Sequence, residues 1–144
     1  MISVLDLSRR KVLPRIAWRK IAGRILGKKF DVSVVLVGER KMAEIKRKYS
    51  PIGYPRRPAY RTGRPVKIGA TNVLSFLMDK TSGEIFLCPV FIGREAGLFG
   101  RNFQEHIFAL YVHALLHLKG HDHQNKNEAS RMEKEEKKWL KILW

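Results

Sequence analysis

Apolar and polar positions follow two different periods along the chain, and the switches between them mark the elements. Ile2–Leu7 reads as a short strand. From Leu13 to Leu26 the apolar positions Leu13, Ile16, Ala17, Ile21, Ala22, Ile25 and Leu26 recur at helical spacing with basic residues between them. That pattern predicts a helix with one buried stripe and a basic outer face. Phe30–Val37 is a run of β-branched and apolar residues of strand length, apolar on both faces, which suits an interior strand. Glu39–Lys48 predicts a second helix with Met42 and Ile45 turned inward. The periodicity then lapses. Tyr49–Ala70 holds four of the six prolines together with Gly53, Gly63 and Gly69, and reads as a long loop.

Beyond the loop, Asn72–Leu77 and Glu84–Cys88 read as two strands joined by a hairpin-like connection, Met78–Gly83. Pro89–Gly100 predicts a short helix that stops at Gly97 or Gly100. Asn102 stands as an N-cap, with Glu105 three residues later in the capping-box position. The helix it opens runs to Lys119 and stops at Gly120. A last helix from about Lys126 buries Ala129, Met132, Trp139, Leu140 and Leu143. No internal repeat and no low-complexity tail interrupts this pattern. Strands and helices mix and the C-terminal third is helical, so the expected fold is α+β. With 144 residues, 44% of them hydrophobic, the chain suits a single domain, residues 1–144, around one core.

Charge changes the picture. Lys and Arg number 29 against 13 Asp and Glu, a net of +16. Residues 1–70 hold 19 basic and 4 acidic residues (net +15), and residues 71–144 hold 10 and 9 (net +1). A field of that sign favours a polyanion, and the first half is the anion-binding side. No apolar run approaches the ~20 residues needed to span a bilayer. The basic N-terminal helix has the look of a transit peptide or a membrane-surface helix, but Ile2–Leu7 already feeds it as a strand, so it is kept in the fold. Cys88 is the single cysteine, which excludes an internal disulfide and a cysteine metal cluster.

All five histidines fall between positions 106 and 123. His113 and His117 are four apart, so one helical face presents both rings to one point. His106 lies on nearly the same face and reads as a solvent-facing or supporting residue rather than a ligand. The apolar stripe of Phe103, Ile107, Leu110, Ala114 and Leu118 runs beside it. Gly120 lets the chain turn back, bringing His123, or His121 in a tighter turn, toward the same point. Two helical imidazoles, a glycine turn and a third imidazole make a three-nitrogen site with an open fourth position, as in a hydrolytic zinc centre. Asp122 or Glu133 is placed to orient a ligand ring through its other nitrogen. A zinc peptidase of this spacing carries a glutamate directly after the first histidine, and here that position is Ala114. A phosphodiester substrate beside a basic surface fits better.

Three segments then resemble the YbeY family of rRNA maturation factors, metal-dependent endoribonucleases. His113–His123 matches the family's H-x-x-x-H-x-x-x-x-x-H with its Leu-His-Leu core and Gly-x-Asp-His ending. Thr71-Asn-Val-Leu-Ser-Phe76 is close to its T-[DN]-V-L-S-F strand, and Gly83-Glu-Ile85 is similar to its G-D-I strand start. Beyond these three, Arg131-Met-Glu133 is also similar to the family's methionine–glutamate pair on the last helix. The resemblance implies a mixed sheet of about four strands, one antiparallel, packed against helices, with a metal-binding helix near the C-terminus. It implies zinc held by His113, His117 and His123. It also implies cleavage of single-stranded RNA in maturation of the small-subunit rRNA 3′ end, with the small ribosomal subunit as partner, in the cytoplasm and away from any membrane.

The departures are mild at Ala114 and His121, where the family has glycine and an aromatic residue. They are larger in the loop before Thr71. The family has a short connection there with a Tyr-Arg pair. Here Tyr49 is followed by Ser50, and the loop is longer by roughly a dozen residues by that likeness. The next such pair is Tyr60-Arg61. Arg61 is therefore the candidate catalytic phosphate clamp, with Arg64 and Arg47 behind it. Arg56, Arg57 and Arg64 are candidate contacts to RNA backbone, and Tyr54 and Tyr60 could stack on unpaired bases. Ser75 reads as structural. A reading from a different class is a ribosome-associated RNA-binding assembly or quality-control factor whose zinc is structural, since Lys and Arg contacts to phosphate alone give affinity.

Overall fold

The computed structural model describes residues 1–8, 15–49, 72–120 and 126–143. Among the described residues four strands form one sheet: β1 (Ile2–Asp6), β2 (Asp31–Leu36), β3 (Val73–Asp79) and β4 (Ser82–Leu87), in the order β1-β2-β4-β3. β2 runs parallel to both β1 and β4, with Val34 opposite Val4 on one side and Ile85 on the other. β3 pairs antiparallel with β4, Ser75 facing Ile85, and forms a sheet edge. The mixed sheet of four strands with one antiparallel is the expected one, and Asp31–Leu36 is an interior strand as its apolar run demands. At the hairpin turn the Asp79 carboxylate accepts the Thr81 backbone N–H at 2.8 Å.

The two sheet faces bury separate clusters because side chains alternate along a strand. On one face Val32, Val34, Leu36, Ile85 and Leu87 pack beneath α1 (Trp18–Leu26), α4 (Phe103–Lys119) and α5 (Lys126–Leu143). On the other, Val35, Leu74, Phe76 and Phe86 pack against Met42 and Ile45 of α2 (Glu39–Tyr49), together with Val37 and Cys88. Helix α3 (Pro89–Ala96) starts with Pro89, ends in a 3₁₀ turn (Gly97–Phe99), and inserts Ile92 into the first cluster and Phe91 against the second.

Helix α1 begins at Trp18, later than the periodicity predicts. The Arg15 backbone N–H donates to Gln104 Oε1 of α4 at 3.1 Å, a tie to a neighbouring helix instead of a carbonyl one turn back. Trp18 meets Tyr111 edge-on at 4.7 Å, and the Tyr111 hydroxyl donates to the Trp18 carbonyl at 2.9 Å. Residues 9–14 and the predicted loop, residues 50–71, lie outside the described residues.

Helix α4 starts as its sequence requires. Asn102 accepts the Glu105 backbone N–H at 2.9 Å, and the Glu105 carboxylate accepts the Asn102 N–H in return. It stops at Gly120, whose φ of +115° is left-handed backbone that glycine enters without cost. Burial on α4 is wider than the predicted stripe: Phe108, Tyr111, Val112, Leu115 and Leu116 are also buried, so the helix is wrapped on nearly every side. Among the described residues no helix is long and apolar enough to cross a membrane.

Candidate metal centre

His113 and His117 are half-buried, set among the buried residues Val112, Ala114, Leu115, Leu116 and Leu118 of α4. Their i,i+4 spacing brings the rings together, with centroids 4.6 Å apart at 75° and the two Nε2 atoms separated by 3.0 Å. On the far side of His113, Nδ1 contacts Glu136 Oε1 of α5. A carboxylate can only accept, so Nδ1 carries the proton and His113 Nε2 presents its lone pair toward His117. Two Nε2 atoms this close share either a proton, as in a neutral N–H···N hydrogen bond from His117 to His113, or a cation drawing on both lone pairs. The spacing is near the ~3.3 Å expected between two nitrogens on one tetrahedral zinc with bonds of ~2.0–2.1 Å. The pair therefore fits a shared metal ion. His121, Asp122 and His123 lie outside the described residues, and the described residues contain no complete group of three ligands.

The carboxylate behind the ring is Glu136, not Glu133. Glu133 is exposed and pairs with Lys137 at 3.1 Å. Met132 and Glu136 are four apart, so anchoring fully buried Met132 against the core turns Glu136 toward α4 and leaves Glu133 a third of a turn away. The sequence signal was present, since a carboxylate four residues after a buried methionine shares its helix face.

His106 is neither at solvent nor beside the histidine pair. It is 2% exposed, its Nε2 lies 2.9 Å from Glu95 Oε2, and its ring stacks on Phe99 at 5.1 Å. Glu95 also accepts from Asn72 Nδ2 at 2.9 Å. The expectation fails because helical angle ignores axial distance: seven residues are about 10 Å of helix, enough to place His106 against α3. This polar cluster instead joins the first residue before β3 to α3 and α4.

Ala114 is 1% exposed and packs in the core. A glutamate there would enter an apolar cluster rather than the site, in keeping with the reading against a peptidase. Segments read separately in the sequence interlock here. A Cβ on Gly83 of β4 would lie 2.7 Å from Leu118 Cδ2 and 3.0 Å from the Phe76 carbonyl oxygen of β3. Glycine at 83 thus lets the turn of α4 that carries His117 sit against the sheet. Ser75 lies on β3 on the same sheet face as Val73, the face that packs on the α4 cluster. Arg47 is exposed in the last turn of α2. Arg56, Arg57, Arg61 and Arg64, with Tyr54 and Tyr60, lie outside the described residues.

Fold and site together define a small α+β protein that presents a histidine pair, braced by a carboxylate, from a helix buried against a mixed sheet. The family described as Endoribonuclease YbeY matches residues 65–143, and the chain belongs to that family. Arg56, Arg57, Arg61 and Arg64 precede the matched region. A relative from Aromatoleum aromaticum named Endoribonuclease YbeY is 34% identical over 116 residues, covering 78% of this chain and 66% of the relative. A Thermotoga petrophila relative of the same name is 28% identical over 116 residues, covering 78% and 67%. The chain thus spans about two thirds of the length of these curated relatives. The solution structure of TM1509 from Thermotoga maritima superposes with a TM-score of 0.66 at 25% identity, over 100% of this chain and 89% of that one.

Proposed function

We propose that this protein is a zinc-dependent endoribonuclease that cuts single-stranded RNA in maturation of the small-subunit rRNA 3′ end. The observation that carries the reading is the pair of Nε2 atoms converging at 3.0 Å, with Glu136 behind His113. His113 and His117 would hold the metal with His123 as third ligand, leaving a position open. When bound, zinc supplies a Lewis acid for a phosphoryl oxygen and acidifies a water to a nucleophile near neutral pH. Glu136 holds the His113 ring in the tautomer that offers Nε2, and so acts through the ligand rather than on the substrate. Arg61 is assigned to clamp the non-bridging phosphate oxygens, and Arg56, Arg57 and Arg64 to contact the RNA backbone. Membership of a family of endoribonucleases and the +15 charge of residues 1–70 support an RNA substrate. The small ribosomal subunit as partner and the cytoplasm as location complete the reading.

The test compares wild type with His117→Ala, purified in parallel, on a small-subunit rRNA 3′ fragment with and without a chelator. Cleavage by wild type alone, abolished by chelation, is the expected result. Equal cleavage by both proteins, or none by either with RNA binding retained, overturns it and favours an RNA-binding assembly factor.

A further inference from the structure

Among the described residues, the basic side chains on and around α1 have no acidic partner. Arg15, Arg19, Lys20 and Arg24, with Lys28 and Lys29 just past the helix end, are all exposed, and no acid occurs between residues 9 and 29. None of the six is ion-paired among the described residues. Some cations elsewhere are paired, as Lys137 is with Glu133 and Arg94 with Glu39. Six like charges on one short segment repel one another, and a polyanion relieves that repulsion. Their arrangement is specific. Arg15, Lys20 and Arg24 rim a cleft of about 260 Å³ lined between them by Ile16, Ile21 and Leu143.

The cleft is not part of the histidine site. Its α4 wall is Phe108, five residues before His113, hence about 7–8 Å along the helix axis and about 140° around it. A bilayer is the weaker occupant, because the apolar stripe of α1 (Ile21, Ala22, Ile25) is already buried in the core and leaves no face to insert. Cations around an apolar floor match the alternation of phosphate and base in an unpaired strand.

We propose that the cleft between α1 and the α4–α5 pair is an auxiliary binding surface for single-stranded RNA, with Arg15, Lys20 and Arg24 on phosphates and the apolar floor against a base. The choice of RNA rests on the nuclease reading above. The test measures binding of a fluorescein-labelled single-stranded rRNA 3′ oligonucleotide to the full chain from 50 to 200 mM salt. In the triple variant Arg15→Gln/Lys20→Gln/Arg24→Gln, losing three contacts at ~0.7 each should flatten the log–log salt slope by about 2. The same relation predicts affinity about 100-fold weaker at 0.1 M salt.

Arg24→Gln alone should flatten the slope by ~0.7, which keeps the test valid if the triple variant misfolds. Lys137→Gln, already neutralised by Glu133, should leave the slope unchanged. An unchanged slope in folded variants overturns the proposal. So does loss of binding to phosphatidylserine vesicles or to a polyglutamate peptide while RNA binding is intact. Because the readout is binding, its failure stays separate from failure of the nuclease reading, which is read from cleavage by wild type against His117→Ala.

Discussion

Substituting Gly83 with alanine tests the claim that the β3 and β4 motifs and α4 lock together. The added Cβ would sit 2.7 Å from Leu118 Cδ2, 3.0 Å from Cδ1 and 3.0 Å from the Phe76 carbonyl oxygen. Leu118 is 4% exposed and cannot swing into solvent, so its side chain must repack within the core or the helix and strand must move apart. Overpacking of this kind costs about 1–3 kcal/mol, offset by about 0.5–1 kcal/mol because alanine suits a strand better than glycine. The net expectation for Gly83→Ala is about 1–2 kcal/mol of destabilisation. Leu118→Ala alone removes both Cδ atoms and should cost about 2–5 kcal/mol. In that background only the Phe76 oxygen remains close, and Gly83→Ala should be nearly neutral, a coupling of about 1–2 kcal/mol. Urea unfolding of the four proteins of the cycle gives each term from midpoint and slope. Additivity within about 0.5 kcal/mol, or a stabilising Gly83→Ala in the wild-type background, would refute the contact.

Removing the brace in Glu136→Ala should weaken zinc binding about 10–100-fold in competition with a chromophoric chelator, with Glu136→Gln intermediate because its amide oxygen still accepts from Nδ1. An unchanged affinity would remove Glu136 from the site. Asn102→Ala deletes the side-chain half of the capping box and should cost about 1 kcal/mol in the same unfolding assay; no loss would mean that the cap is idle. The Thr81 backbone N–H, then a hydrogen bond with the Ser82 side chain, holds the Asp79 carboxyl below its ordinary 3.8. Its help to the hairpin is thus present above that value and lost as pH falls through the lowered folded value, and a carboxyl carbon titration with a midpoint at or above 3.8 would contradict this. Burial pushes the Cys88 thiol up, so a thiol reagent at pH 8 should label it only as fast as the chain opens, and prompt labelling of the native protein would show the site to be open.

The polar cluster of Asn72, Glu95 and His106 shows how the fold sets the histidine pair apart from its neighbours. Glu95 takes two donors at 2.9 Å each and keeps His106 inside the protein. The five histidines thus divide by environment: one structural, two converged at the candidate centre, and two beyond the described residues.

Local chemistry alone determined much of this protein. The capping box at Asn102 and Glu105, the left-handed stop at Gly120 and the four-residue spacing of His113 and His117 involve neighbours within one or two turns, so they were legible residue by residue. The strands were legible for the same reason, since alternation or a continuous apolar run is a property of a few consecutive side chains. What only the tertiary structure decided depends on which helix lies against which. Glu136 rather than Glu133 reaches His113 because Met132 anchors α5 against the core. His106 turns inward because α3 supplies Glu95 at the right height along α4. Glycine is needed at 83 because Leu118, 35 positions away in the chain, fills the space that its side chain would take. Periodicity assigns a residue to a face, but its partner comes from packing between segments distant in sequence, and no local pattern carries that information.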